Sequence, residues 1–142
     1  MDKLSLPAVL DSLAQLRRYA KDAAAGAGID EDRSYQLQLA VDEIATNIIS
    51  YGYKDAGPSA EITIAEEIRG DMLIVTLEDQ GPAFDPRTRP MPDAEDLTKP
   101  LEERTIGGLG IYLATQGVNR FGYRREGDRN LNIFEVKIGR DR

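Results

Sequence analysis

No cysteine, no histidine and no tryptophan occur in this chain. Without cysteine there is no disulfide, no thiolate nucleophile and no cysteine-held zinc, a pattern that fits a reducing compartment. Without histidine the chain has no imidazole base, no histidine metal ligand and no phosphohistidine acceptor of its own. Positive charge is the scarcer sign: 18 Lys and Arg face 25 Asp and Glu, for a formal charge of −7. That balance argues against a nucleic acid or an anionic membrane surface as a direct partner, and it means that an anionic ligand would have to be drawn in by local groups. Long apolar runs are missing too, and the opening MDKLSLPAVLDSL has no continuous apolar segment followed by a small-residue cleavage site. A cytoplasmic protein without membrane contact is the expectation.

What is present fits one domain over residues 1–142, with a 41% apolar fraction sufficient for a core. Leu4 to Leu6 is a short edge-strand candidate, and Pro7 suits the first turn of a helix running from Ala8 to about Ala27, with Val9, Leu13, Leu16 and Ala20 on one face. Arg17 and Arg18 fall outside that face and read as solvated. Gly26 and Gly28 end this helix, and Asp30 is a natural N-cap for a second one, with Glu31 and Asp32 where the helix dipole favours negative charge.

Two hairpins are expected. The first joins Ala60 to Ile68 with Met72 to Glu78 across Arg69-Gly70-Asp71; the second joins Asn119 to Arg125 with Asn130 to Ile138 across Glu126-Gly127-Asp128. Between them, Gln80 to Thr105 holds five of the seven prolines and little periodicity, which marks a binding loop or lid of about residues 82–106. Gly107 to Gly110 then opens a helix ending near Gly117. Partial segregation of helices from strands predicts an α+β two-layer sandwich rather than a doubly wound parallel sheet.

Three stretches carry residues that packing does not require. In Leu37 to Tyr53, the apolar stripe Leu37, Val41, Ile44 and Ile48 leaves Asp42, Glu43, Thr46 and Asn47 aside. Glu43 and Asn47 are four apart and so project from one side of a helix, where a carboxylate can accept a proton and a neutral amide oxygen can join a magnesium shell. Asp79-Gln80-Gly81-Pro82-Ala83-Phe84-Asp85 follows a strand, placing a carboxylate where it can accept from an amino group and a glycine where backbone can approach a flat ring. The Gly107 to Gly110 cluster at a helix start offers open N–H groups to a phosphate. Each has a plainer reading when taken alone: a solvated helix flank, an Asp-x-Gly turn, a glycine-eased turn.

Taken in this order, LQLAVDEIATNIISYGYKD resembles the N-box, DQGPAFDP the first glycine box and GGLGIYL the second glycine box of the gyrase, heat-shock chaperone, histidine-kinase and MutL ATPase superfamily. The form E-I-A-T-N-x-x-x-Y-x-Y, the small size and the closing RREGDRNLNIFEVK are most similar to the bacterial anti-sigma-factor serine kinases, and the likeness spans roughly residues 5 to 138. The resemblance implies a Bergerat-type ATP-binding sandwich, with a mixed, mostly antiparallel sheet, helices on one face and a long ATP lid. It implies an ATP- and Mg2+-dependent protein serine kinase whose substrate is an anti-anti-sigma (STAS-type) protein and which also sequesters a sigma factor. A homodimer is compatible with it. By the same resemblance, Glu43 would be the base, Asn47 the magnesium ligand, Asp79 the holder of the adenine amine and Gly81 the residue that admits the ring. Phe84 and Asp85 would complete that box, and Thr105, Gly108, Leu109 and Gly110 would line the triphosphate. Arg104 would reach the terminal phosphate and Lys54 would add a second positive contact. Ala83 departs from the pattern, standing where many of the wider superfamily have a second glycine, and Ile106 with Gly107 lengthens the gap after Arg104. The alternative class is a non-catalytic, ATP-gated partner-binding module, for which Glu43 would be dispensable.

Overall fold

The computed structural model describes residues 1–52, 60–86 and 116–139. Within them the order is β1 (Leu4–Pro7), a 3-10 turn (Leu10–Ser12), α1 (Leu13–Gly26), α2 (Glu31–Asn47), a π-helical turn (Ile48–Gly52), β2 (Glu61–Arg69), β3 (Met72–Asp79), β4 (Arg120–Glu126) and β5 (Arg129–Lys137). The strands form one sheet in the order β1-β2-β3-β5-β4. Every neighbouring pair is antiparallel, so the described strands contain no parallel pair of the kind a mixed sheet would have.

Both hairpins form where the sequence places them. Gly70 and Gly127 take φ of 63° and 60° at the turns, a left-handed conformation that costs glycine little. The start of the first helix differs from expectation. Pro7 stays extended as the last residue of β1, opposite Glu61, and the next amide, that of Ala8, donates to the Ala60 carbonyl at 2.9 Å. An edge strand accommodates a proline because one side of its ladder is unpaired. The α-helix therefore begins only at Leu13, and Val9, read as part of its apolar face, is 48% exposed.

Each strand of the central pair turns one set of alternate residues toward the helices. Leu73, Val75, Leu77 and Asp79 of β3 stand opposite Val136, Phe134, Asn132 and Asn130 of β5. Against the apolar members pack Leu16, Ala20, Ala23 and Ala24 of α1 and Leu37, Val41 and Ile44 of α2, all in one buried cluster. Along this face the pairs change from apolar at Leu73–Val136 and Val75–Phe134 to polar at Asp79–Asn130. The polar end is where the candidate site begins.

Candidate functional site

The second helix is fixed at its start and free to present chemistry at its end. Asp30 caps it by accepting from the Arg33 amide at 2.9 Å. The Arg33 side chain returns to Asp30 and also donates to the carbonyl oxygens of Lys137 and Gly139, tying this end of α2 to the end of β5. Seventeen residues carry a helix about 25 Å, and nine carry a strand about 30 Å. Glu43 and Asn47 lie in the last two turns of α2, away from that anchor, and Asn130 lies at the opposite end of β5 from Lys137, where it faces Asp79.

Glu43 is half-buried. Burial raises its carboxyl above the ordinary glutamate range and neighbouring Asp42 adds to the rise, while a hydrogen bond from Asn47 works against it. Arg17 of α1 holds Asp42 at 2.6 Å, so one of the two arginines read as solvated is paired across the helices. Asn47 is more enclosed than a solvated flank would be, at 3% exposed. Its amide nitrogen donates to the Glu43 carbonyl at 2.7 Å, and its Oδ1 is buried with no hydrogen-bond partner among the described residues. An enclosed, unanswered carbonyl oxygen costs about 1–3 kcal/mol. A hard cation prefers such an oxygen, so the donor fits magnesium. No cluster of acidic or other metal-binding side chains competes with it among the described residues.

Asp79 ends β3 and is 2% exposed. Its Oδ1 accepts from the Gly81 amide and from Asn130 Nδ2, each at 2.9 Å. Burial pushes its carboxyl up despite those two bonds and the nearby Arg125 guanidinium. No described residue donates to Oδ2.

Asn130 escapes the sequence reading as a site residue, yet it organises this corner. Its Nδ2 also donates to the carbonyls of Gly81 at 3.2 Å and Pro82 at 3.0 Å, while its Oδ1 accepts from the Phe84 amide at 3.4 Å and from the Tyr123 hydroxyl. Arg125 donates to the Gly81 carbonyl at 2.8 Å. Gly81 is thus buried and held on both sides, Phe84 is pinned through its backbone, and Asp85 is partly buried just beyond. The one clue in sequence is the alternation Asn130, Asn132, Phe134, Val136, which puts two amides on a face whose other members are apolar. Lys54, Arg104, Thr105, Gly108, Leu109 and Gly110, together with the lid and the helix expected after Gly107, lie outside the described residues.

Residues 6–134 match the model of the histidine kinase-like ATPase domain family. The chain belongs to that family. It is 31% identical over 113 residues to a protein named serine-protein kinase RsbW from Bacillus cereus (strain AH187), covering 78% of this chain and 69% of the relative. A protein of the same name from Listeria monocytogenes serovar 1/2a is 32% identical over 111 residues, covering 78% of this chain and 70% of the relative. Among solved structures, the RsbU and RsbW domains of Rv1364c from Mycobacterium tuberculosis share the fold, with a TM-score of 0.61 at 14% identity over 99% of this chain and 34% of that longer one. Use of ATP follows from the family. No helix among the described residues is long and apolar enough to cross a membrane.

Proposed function

We propose that this chain is an ATP- and Mg2+-dependent protein serine kinase acting as an anti-sigma factor in the cytoplasm. In this reading it phosphorylates a serine on a small anti-anti-sigma (STAS-type) protein and sequesters a sigma factor. The observation that carries the reading is the pair on α2: a half-buried carboxylate with raised proton affinity at Glu43, and one turn later the enclosed Asn47 with an unanswered oxygen. The relatives named serine-protein kinase supply the reaction class.

The roles follow the chemistry of each group. The serine oxygen attacks the terminal phosphorus of ATP, the bond from that phosphorus to the bridging oxygen breaks, and ADP leaves with the electron pair. Glu43 takes the hydroxyl proton, and burial makes its carboxylate a stronger base than an exposed one. Magnesium, when bound, neutralises phosphate charge, and Asn47 Oδ1 is the oxygen that this chain offers it. Asp79 accepts from the adenine amine, with Asn130 and Gly81 fixing its orientation, and Gly81 lets the ring lie close to backbone. Phe84 and Asp85 continue the same box. Arg104 at the terminal phosphate, Lys54 as a second cation, and Thr105, Gly108, Leu109 and Gly110 along the triphosphate rest on the sequence motifs alone.

A module that uses ATP only to select its partner would need Asn47 and Asp79 but no base, so Glu43 favours the kinase. The test is to incubate the protein with γ-labelled ATP, magnesium and the proteins encoded beside it. Label on a serine of a partner supports the kinase; tight partner binding with no label in any of them supports the module.

A further inference from the structure

Beside the Asp79–Asn130 pair stands a second buried amide whose oxygen no described residue answers. Asn132 lies on the same helix-facing side of β5, with Leu77 opposite it on β3 and Tyr123 opposite it on β4. Leu77 has no polar side-chain atom to offer, and the Tyr123 hydroxyl is spent on Asn130. Asn132 is 1% exposed, and its Oδ1 has no hydrogen-bond partner among the described residues. The next two members of this face toward the far end are Phe134 and Val136, so an apolar residue would fit the pattern and avoid the cost of an unanswered acceptor. Asn130 differs in kind, since its oxygen and nitrogen are both engaged.

Position gives the orphan a use. Asp79 and Asn132 are diagonal neighbours on one face, a relation that separates residues by about 7–8 Å, which lets two side chains reach toward one nitrogen between them. A base held by Asp79 would therefore have the Asn132 amide as the next inward-facing side chain on β5 after Asn130.

We propose that Asn132 is a second base-reading residue, its Oδ1 accepting the amine hydrogen of adenine that Asp79 does not take. The proposal rests on the nucleotide reading given above and deepens it. Adenine presents two hydrogens on its exocyclic nitrogen, and two acceptors placed side by side use both. A 6-oxo purine brings an acceptor to the same place, where the Asp79 oxygen leaves it unpaired and only a turned Asn132 amide could donate to it, so discrimination against it rests on the carboxylate rather than on shape.

The test is calorimetry on the full chain, with magnesium, using ATP, N6-methyl-ATP and N6,N6-dimethyl-ATP. With two acceptors, the first methyl group weakens binding about five- to tenfold and the second weakens it again. With Asp79 as the lone acceptor, the first methyl is tolerated, since the remaining hydrogen still serves it, and only the second costs affinity. Asn132→Leu keeps the branched shape, is no smaller, and lacks the oxygen, so a purely steric penalty would persist in it while a hydrogen-bond penalty would vanish. The expected result is a stepwise loss in the parent and an ATP to N6-methyl-ATP affinity ratio near one in Asn132→Leu. Equal ratios in parent and variant, or a free first methyl in the parent, overturn the role of Asn132 while leaving ATP binding intact. Absence of ATP binding by the parent overturns the nucleotide reading itself and this proposal with it. Should Asn132→Leu not fold, Asn132→Val, which also lacks the oxygen and is no smaller than asparagine, carries the same comparison.

Discussion

Asp79 and Asn130 face each other across β3 and β5, and the Asn130 amide donates to Asp79 Oδ1 at 2.9 Å while also holding the backbone of Gly81, Pro82 and Phe84. One strand residue therefore sets both the direction of a buried carboxylate and the path of the chain that leaves it. Asn130→Ala strips donors from a buried carboxylate and two carbonyls, and the expected loss of stability is about 1–3 kcal/mol. Urea unfolding measures it. A variant as stable as the parent would show that these bonds do not hold the corner together.

Asp79→Asn keeps the shape but replaces one acceptor oxygen with a donor. Preference for ATP over GTP should fall, because the new amide can donate to a 6-oxo group. Competition of the two nucleotides for one site gives the ranking; an unchanged order counts against the adenine assignment.

Asn47→Ala removes the unanswered oxygen and leaves the rest of the α2 face in place. Affinity for ATP should drop when magnesium is present and change little when it is chelated. Equal affinities for parent and variant with magnesium would exclude Asn47 as its ligand.

Burial raises the carboxyl of Glu43 in the folded chain, so ionising it disfavours the fold. At neutral pH, Glu43→Gln removes that charge and should raise the melting temperature. The shift should not exceed about 2–4 °C, discounted because the side chain is only half-buried and solvent screens it. The gain should shrink as pH falls through the raised folded value and vanish below the ordinary glutamate range. Asp79 carries a shift of the same sign. A melting temperature for Glu43→Gln that is lower than the parent's at neutral pH would contradict the burial argument.

Phe134 is fully buried between Val75 and the tilted ring of Phe121, whose centroid lies 5.2 Å away. Phe134→Ala should cost about 3–5 kcal/mol, and a loss under about 1 kcal/mol would mean that the layer beneath α2 repacks freely.

The parts of this fold that local chemistry determines are legible in the chain. Asp30 caps a helix because its side chain reaches the Arg33 amide, and Gly70 and Gly127 mark hairpins because the turns need positive φ. Glu43 and Asn47 stand out because polar residues interrupt an apolar period. What depends on partners distant in sequence is less visible. Pro7 belongs to a strand only because Glu61 pairs with it, and Asn130 becomes a hub only because β5 lies beside Asp79, 51 residues away. Leu131 and Ile133 alternate with Asn130 and Asn132, so the apolar residues of this strand taken together hide the face on which the amides sit. Splitting them by period two separates Asn130, Asn132, Phe134 and Val136 as one surface.

The central claim is that Glu43 removes the proton from a serine hydroxyl at a nucleotide site shared with Asn47. It is tested by measuring ATP affinity and phosphoryl transfer side by side for the parent and Glu43→Gln, with a partner protein whose serine becomes labelled. ATP affinity should stay within a few-fold of the parent while the transfer rate falls about 10²–10⁴-fold. Transfer at the parent rate by Glu43→Gln would contradict the account.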